Sequence, residues 1–131
     1  MKTPPQRPAQ PIAVAIIEDD IRVLESLQEL LQSGGFATRA YASAEHFLSD
    51  VKRNGLAALI SDIGLPGMSG LDLLRVLRAE PSDVPVILIT ARHDPDLDHQ
   101  ARELGAAKLF YKPFDTADLL ATLRVIATNR P

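Results

Sequence analysis

From residue 12 onward, short apolar runs alternate with stripes of helical period, and this alternation limits the possible folds more than any other feature. The runs are "IAVAII" (12–17), "FATRAY" (36–41), "LAALI" (56–60), "VPVILI" (84–89) and "AKLFY" (107–111). Most are apolar throughout rather than at every second residue, as strands covered on both faces of a parallel sheet are. Elsewhere apolar residues recur at three and four: Leu24, Leu27 and Leu31; Leu71, Leu74 and Leu77; Leu97, Ala101 and Leu104; Leu119, Leu123 and Ile126. Strand and helix thus alternate five times, which predicts an α/β chain of (βα)5 type with a doubly wound parallel sheet.

The punctuation agrees. Asp94-Pro95 pairs an N-cap with proline at the first helical position, and Ser43 and Asp115 are further N-cap candidates. Gly34-Gly35 and Gly105 fall where helices should stop. In an open sheet of this type ligands bind beyond the carboxyl ends of the strands, where strand order reverses. Function is therefore to be sought in the loops after strands one, three, four and five.

Composition narrows the chemistry. The absence of cysteine removes disulfides, thiolate metal sites and cysteine nucleophiles. A net charge of −3 supplies no basic footprint for nucleic acid or an anionic membrane, and 5% aromatic residues leave little for base stacking. No apolar run is long enough to span a bilayer, so a soluble cytoplasmic protein is expected. Residues 1–11, "MKTPPQRPAQP", carry four of the ten prolines and read as a disordered, extended polar tail; residues 12–131 read as a single domain.

Glu18, Asp19 and Asp20 follow the first strand and Asp62 the third, while the fourth ends in Thr90 and the fifth leads into Lys112. On one rim these carboxylates repel, a pair about 4 Å apart costing roughly 4 kcal/mol at an effective dielectric near 20. A hard divalent cation offsets this, and few protein ligands with open positions suit Mg2+, which keeps waters and accepts phosphate oxygens. Lys112 adds a second positive charge. With both in place, an Asp carboxylate is able to attack phosphorus while the cation, the ammonium and a hydroxyl stabilise the equatorial oxygens.

"AIIEDD", "SDIGLPGMSG", "ILITA" and "YKPF" resemble, in order, the four sequence blocks of the receiver domain of bacterial two-component response regulators. The likeness covers about residues 12–128, with 28 residues from Asp62 to Thr90 and 22 from Thr90 to Lys112. It implies a CheY-like, flavodoxin-like sheet of order 2-1-3-4-5. It also implies that Asp62 is the phosphoacceptor, charged by a histidine kinase or phosphotransfer protein. Asp19, Asp62 and the Gly64 carbonyl would bind Mg2+, with Glu18 acting through a coordinated water. Thr90 would hydrogen-bond a phosphoryl oxygen, Ala91 would leave room for it, and Lys112, placed by a cis bond to Pro113, would pair with it. Asp20 falls outside this set and reads as the N-cap of the first helix.

Three positions depart from the commonest pattern of that family. Leu109 stands where many receivers carry a rotating Tyr or Phe, so output is expected to pass through backbone and loop movement. Gly64 and Arg92 hold places that tune phosphoryl lifetime; a bare Gly64 admits water, whereas Arg92 shields the acyl phosphate or meets a partner. By the same likeness, a downstream protein would read the face of helix four, strand five and helix five, and a phosphorylation-dependent homodimer is one form of output. The style of "PGMSG", "TAR" and "KPF" resembles receivers that precede helix-turn-helix domains. No such domain lies within these residues, so no nucleic-acid contact is expected through this chain.

Two rival readings share parts of this pattern. A flavodoxin-like nucleotide or FMN binder needs glycine- or hydroxyl-rich turns after strand one, where this chain is acidic. An aspartate-nucleophile phosphohydrolase commonly has a second acid two residues after the first, and Gly64 occupies that place. The expectation is a phosphoacceptor that acts on itself, by self-phosphotransfer and autodephosphorylation, and not an enzyme. His46, His93 and His99 lack metal-ligand spacing and read as surface residues, as does Lys108.

Overall fold

The computed structural model describes residues 12–129. The disordered tail expected for residues 1–11 lies outside the described residues, as do residues 130–131 of the expected domain.

Strands and helices alternate along the described chain: β1 (Ala13–Ile17), α1 (Ile21–Ser33), β2 (Ala37–Tyr41), α2 (Ala44–Ser49), β3 (Ala58–Asp62), α3 (Gly70–Ala79), β4 (Val86–Thr90), α4 (Pro95–Glu103), β5 (Lys108–Tyr111) and α5 (Thr116–Thr128). All strand pairs are parallel, in the order β2-β1-β3-β4-β5. This is the expected (βα)5 sheet in the expected order. Register brings the strand ends level: Ile17 pairs with Tyr41 and Ser61, Asp62 with Ile89, and Thr90 with Tyr111.

The continuous apolar runs are explained by two packed faces. Ala15, Ile17, Leu59, Val86 and Leu88 meet Phe47 of α2, Leu71, Leu74 and Leu77 of α3, and Ala101 of α4. Val14, Ile16, Ala58, Ile60, Ile87 and Ile89 meet Leu24, Leu27 and Leu31 of α1 and Leu119 and Leu123 of α5. Each fully buried Leu or Ile contributes about 1.5–3 kcal/mol relative to exposure. Outer strands β2 and β5 are less covered, and Ala40 and Lys108 reach solvent there.

Strand limits shift from the sequence reading in one direction. β3 begins at Ala58 and continues through Asp62, and β4 begins at Val86. Leu56 and Val84 are apolar because they pack under the α2–α3 cluster, not because they extend the strands. Asp62 therefore closes a strand, held by sheet pairing, instead of opening a loop.

Local chemistry fixes the helix ends as expected. Asp20, Ser43, Asp94 and Asp115 cap α1, α2, α4 and α5 through side-chain oxygens that accept from Arg22, His46, Asp96 and Ala117 amides. Gly34 closes α1, and Gly105 follows α4 at φ +80°.

Candidate functional site

The site is assembled by strand ends. β1 stops at Ile17, so Glu18 turns inward at the carboxyl edge, 3% exposed, with its amide on the Tyr41 carbonyl at 3.1 Å. Asp62 ends β3, and the amide of Lys112 donates to the Thr90 carbonyl at 2.8 Å, tying the β5 exit to the end of β4. The Lys112–Pro113 bond is cis.

The Lys112 ammonium lies between two carboxylates. It donates to Asp62 Oδ2 at 2.8 Å and to Glu18 Oε1 at 3.2 Å. The remaining oxygens are also used: Gly64 N–H donates to Asp62 Oδ1 at 2.8 Å, and Asp19 N–H to Glu18 Oε2 at 3.0 Å. Glu18, Asp62 and Lys112 also border a small space of about 10 Å3 whose other walls include Ile17, Ile60, Ile89 and Phe114, so apolar side chains back the polar groups of the site.

Charge and burial oppose one another here. Burial, then the neighbouring charge of Asp62, pushes the Glu18 carboxyl above the usual carboxylate range against the pull of Lys112. Burial alone lowers the Lys112 ammonium, but its hydrogen bond to Asp62 and the charges of Asp62 and Glu18 raise it above the usual lysine range. One ammonium thus serves two carboxylates, and the side chain of Asp19, next in the chain after Glu18, is exposed.

Thr90 is 2% exposed, and its Oγ1 accepts the Arg92 amide at 3.1 Å. Ala91, which follows it, is exposed. The Arg92 side chain points to Asp94, 3.8 Å away. Leu109 is half-buried against the α2–α3–α4 cluster. Sequence reasoning thus finds groups that the fold gathers, namely Glu18, Asp62, Gly64 and Lys112, with Thr90 joined through the backbone. Among the described residues, no three His, Cys, Asp or Glu side chains are grouped to cage a metal by themselves.

Three features escape the sequence reading. Ser69 and Asp72 form a capping box at the start of α3, for which Ser-x-x-Asp before an apolar stripe is the local signal. Glu45 Oε2 of α2 accepts the Met68 amide at 3.2 Å, in the loop that follows Asp62. His93 stacks on Tyr111 with ring centres 4.5 Å apart and planes 11° from parallel. Nothing local marks the last two. His46 packs edge-on to Tyr41 and His99 meets Glu103, both at the surface.

Comparison with known proteins bears on this arrangement. A family model described as the response regulator receiver domain matches residues 14–124. The response regulator protein TodT of Pseudomonas putida is 38% identical over 118 residues, covering 90% of this chain and 52% of TodT. The transcriptional regulatory protein FixJ of Azorhizobium caulinodans is 39% identical over 113 residues, covering 86% of this chain and 54% of FixJ. The chain spans about half the length of these curated relatives. The non-phosphorylated HemR receiver domain from Leptospira biflexa superposes with a TM-score of 0.81 at 27% identity, over 92% of this chain and 98% of that one. Matched by that family model over most of its length, and folded as a parallel sheet of order β2-β1-β3-β4-β5, the chain belongs to the response regulator receiver domain family.

Proposed function

We propose that Asp62 accepts a phosphoryl group from a phosphohistidine of a histidine kinase or phosphotransfer protein. An Asp62 oxygen attacks phosphorus, the phosphorus–nitrogen bond breaks, and its electron pair returns to the donor imidazole. The observation that carries this reading is the Lys112 ammonium, 2.8 Å from Asp62 at the end of β3 and placed to meet negative charge as it builds on a transferred group.

Asp19, Asp62 and the Gly64 carbonyl suit Mg2+ as an all-oxygen set that leaves positions for water and phosphoryl oxygens, with Glu18 near enough to act through a water. Glu18 and Asp62 share the single Lys112 ammonium, and a cation relieves the negative charge left over. When bound, Mg2+ supplies charge neutralisation at the phosphoryl oxygens. Lys112 holds the group from the other side, and Thr90 donates its hydroxyl hydrogen to a phosphoryl oxygen in the space above Ala91.

Because Thr90 Oγ1 also accepts the Arg92 amide at 3.1 Å, any shift of this side chain toward the phosphoryl oxygen pulls on the β4–α4 loop. With Leu109 in place of an aromatic ring, the change passes through this loop to the face of α4, β5 and α5, where a downstream protein or a second copy reads it. The chain is in this reading a cytoplasmic signalling module that acts on itself and turns over no free substrate. No described helix is long and apolar enough to cross a membrane.

Intact-mass spectrometry after incubation with acetyl phosphate and Mg2+ tests the proposal. One added phosphoryl group, lost in Asp62→Asn and in chelator, is the expected result. No addition to folded, Mg2+-binding protein from either acetyl phosphate or a phosphorylated histidine donor would refute it.

A further inference from the structure

The loop between β3 and α3 is fixed at its two ends by its own neighbours. At the start, Gly64 N–H donates to Asp62 Oδ1 at 2.8 Å. At the end, Gly70 N–H donates to the Ile63 carbonyl at 3.0 Å, and the Ser69–Asp72 capping box begins α3. Between these anchors the Met68 amide reaches out of the loop to Glu45 Oε2, 3.2 Å away on α2.

Glu45 projects from a rigid base. Ser43 caps α2, and Ala44 and Phe47 on either side of Glu45 are 0% and 1% exposed. Its carboxylate lies over Gly67, whose φ is +73° and where a β-carbon would overlap the Glu45 oxygen. Backbone and carboxylate are thus fitted to each other, although 23 residues separate Glu45 from Met68.

From this contact we infer that Glu45 is a positioning residue for the phosphoacceptor site, its carboxylate holding loop 64–69 in the pose that points the Gly64 carbonyl and the Asp62 carboxylate at one cation. The inference rests on the phosphoacceptor reading above. Glu45 touches neither the cation nor the phosphoryl group. Its effect falls on cation affinity, which needs the Gly64 carbonyl in place, and not on the nucleophilicity of Asp62. Linkage makes the effect reciprocal: whatever cation binding gains from an ordered loop, the Met68 amide gains from the cation.

The test compares the native chain with Glu45→Ala, which removes the acceptor, and Glu45→Gln, which keeps a carbonyl oxygen at the same reach. Phosphorylation by acetyl phosphate is followed over a range of Mg2+ concentrations, and exchange of the Met68 amide is measured by NMR in metal-free buffer. In Glu45→Ala the half-saturating Mg2+ concentration is expected to rise about fivefold with the maximal rate little changed, as loss of one hydrogen bond near the surface implies. Met68 exchange should quicken without any metal. Glu45→Gln should restore both. Native Mg2+ dependence in Glu45→Ala, unchanged Met68 exchange, or failure of Glu45→Gln to restore either would overturn the inference alone. A native chain that takes up no phosphoryl group would overturn the phosphoacceptor reading, and this inference with it.

Discussion

Lys112 Nζ stands 2.8 Å from Asp62 Oδ2 and 3.2 Å from Glu18 Oε1, so a single ammonium bridges the carboxylate that ends β3 and the one that follows β1. Lys112→Met leaves both unpaired. Because the Lys112 side chain keeps 29% of its exposure, the loss should fall below that of a fully buried pair, at about 2 kcal/mol in metal-free buffer. Mg2+ should recover about half of it by taking the place of the ammonium. Urea unfolding with and without Mg2+ measures both.

Thr90→Val keeps the shape of a 2% exposed side chain and deletes the acceptor of the Arg92 amide. Global stability should fall by no more than about 1 kcal/mol. The Arg92 amide should nevertheless exchange markedly faster by NMR, since the β4–α4 loop loses its tie to the sheet.

A β-carbon at Gly64 would lie 3.6 Å from Asp62 Oδ1, an ordinary contact, and Gly64 does not have a left-handed backbone. Gly64→Asn should therefore fold normally and set a polar side chain over the phosphoacceptor. The half-life of the phosphorylated form, read by intact mass against time, should lengthen about threefold as water is kept out.

Gly70 gives the opposite result. Alanine normally favours a helix over glycine by about 0.5–1 kcal/mol, but a β-carbon here would lie 2.5 Å from the Asp62 carbonyl oxygen and 3.0 Å from Ile63 Cα. Neither backbone is free to yield, so Gly70→Ala should destabilise by about 2 kcal/mol and slow phosphoryl uptake at Asp62. Chemical denaturation and intact-mass kinetics together check this.

The capping box makes stability depend on acid. Hydrogen bonds from the Ser69 side chain and amide, ahead of Arg75, hold the Asp72 carboxyl below its ordinary 3.8. A carboxyl lowered by folding contributes fully above its unfolded value and loses that contribution as pH falls through the folded one. Asp72→Asn should flatten this acid limb of the melting-temperature profile. Ser69→Ala should cost about 1 kcal/mol at neutral pH, a fall in melting temperature of about 4 °C.

Much of the site was legible because parallel register places the strand ends on one edge. Glu18, Thr90 and Lys112 each adjoin an apolar run and Asp62 lies one residue further on, so finding the runs nearly finds the residues. Strand limits were harder to read. Ser61 and Asp62 are polar, yet sheet pairing with Leu88 and Ile89 makes them strand, while Leu56 and Val84 are apolar and pack without pairing. Glu45 on Met68 and His93 on Tyr111 left no trace, since a side chain that meets a distant amide or ring needs no periodic neighbour. The short α2, six residues long, showed only its Ser43 cap.

The stack of His93 on Tyr111 has an optical consequence. The sequence holds two tyrosines and no tryptophan, and they close the two outer strands, Tyr41 on β2 and Tyr111 on β5. Tyr41 is buried with its hydroxyl on Asp50, whereas Tyr111 pairs across the sheet with Thr90 and lies against an imidazole. Ultraviolet emission from this chain therefore comes from two lamps at opposite margins. With Tyr41→Phe only one stays lit, beside the residue proposed to feel the phosphoryl group, and its brightness follows the imidazole that covers it.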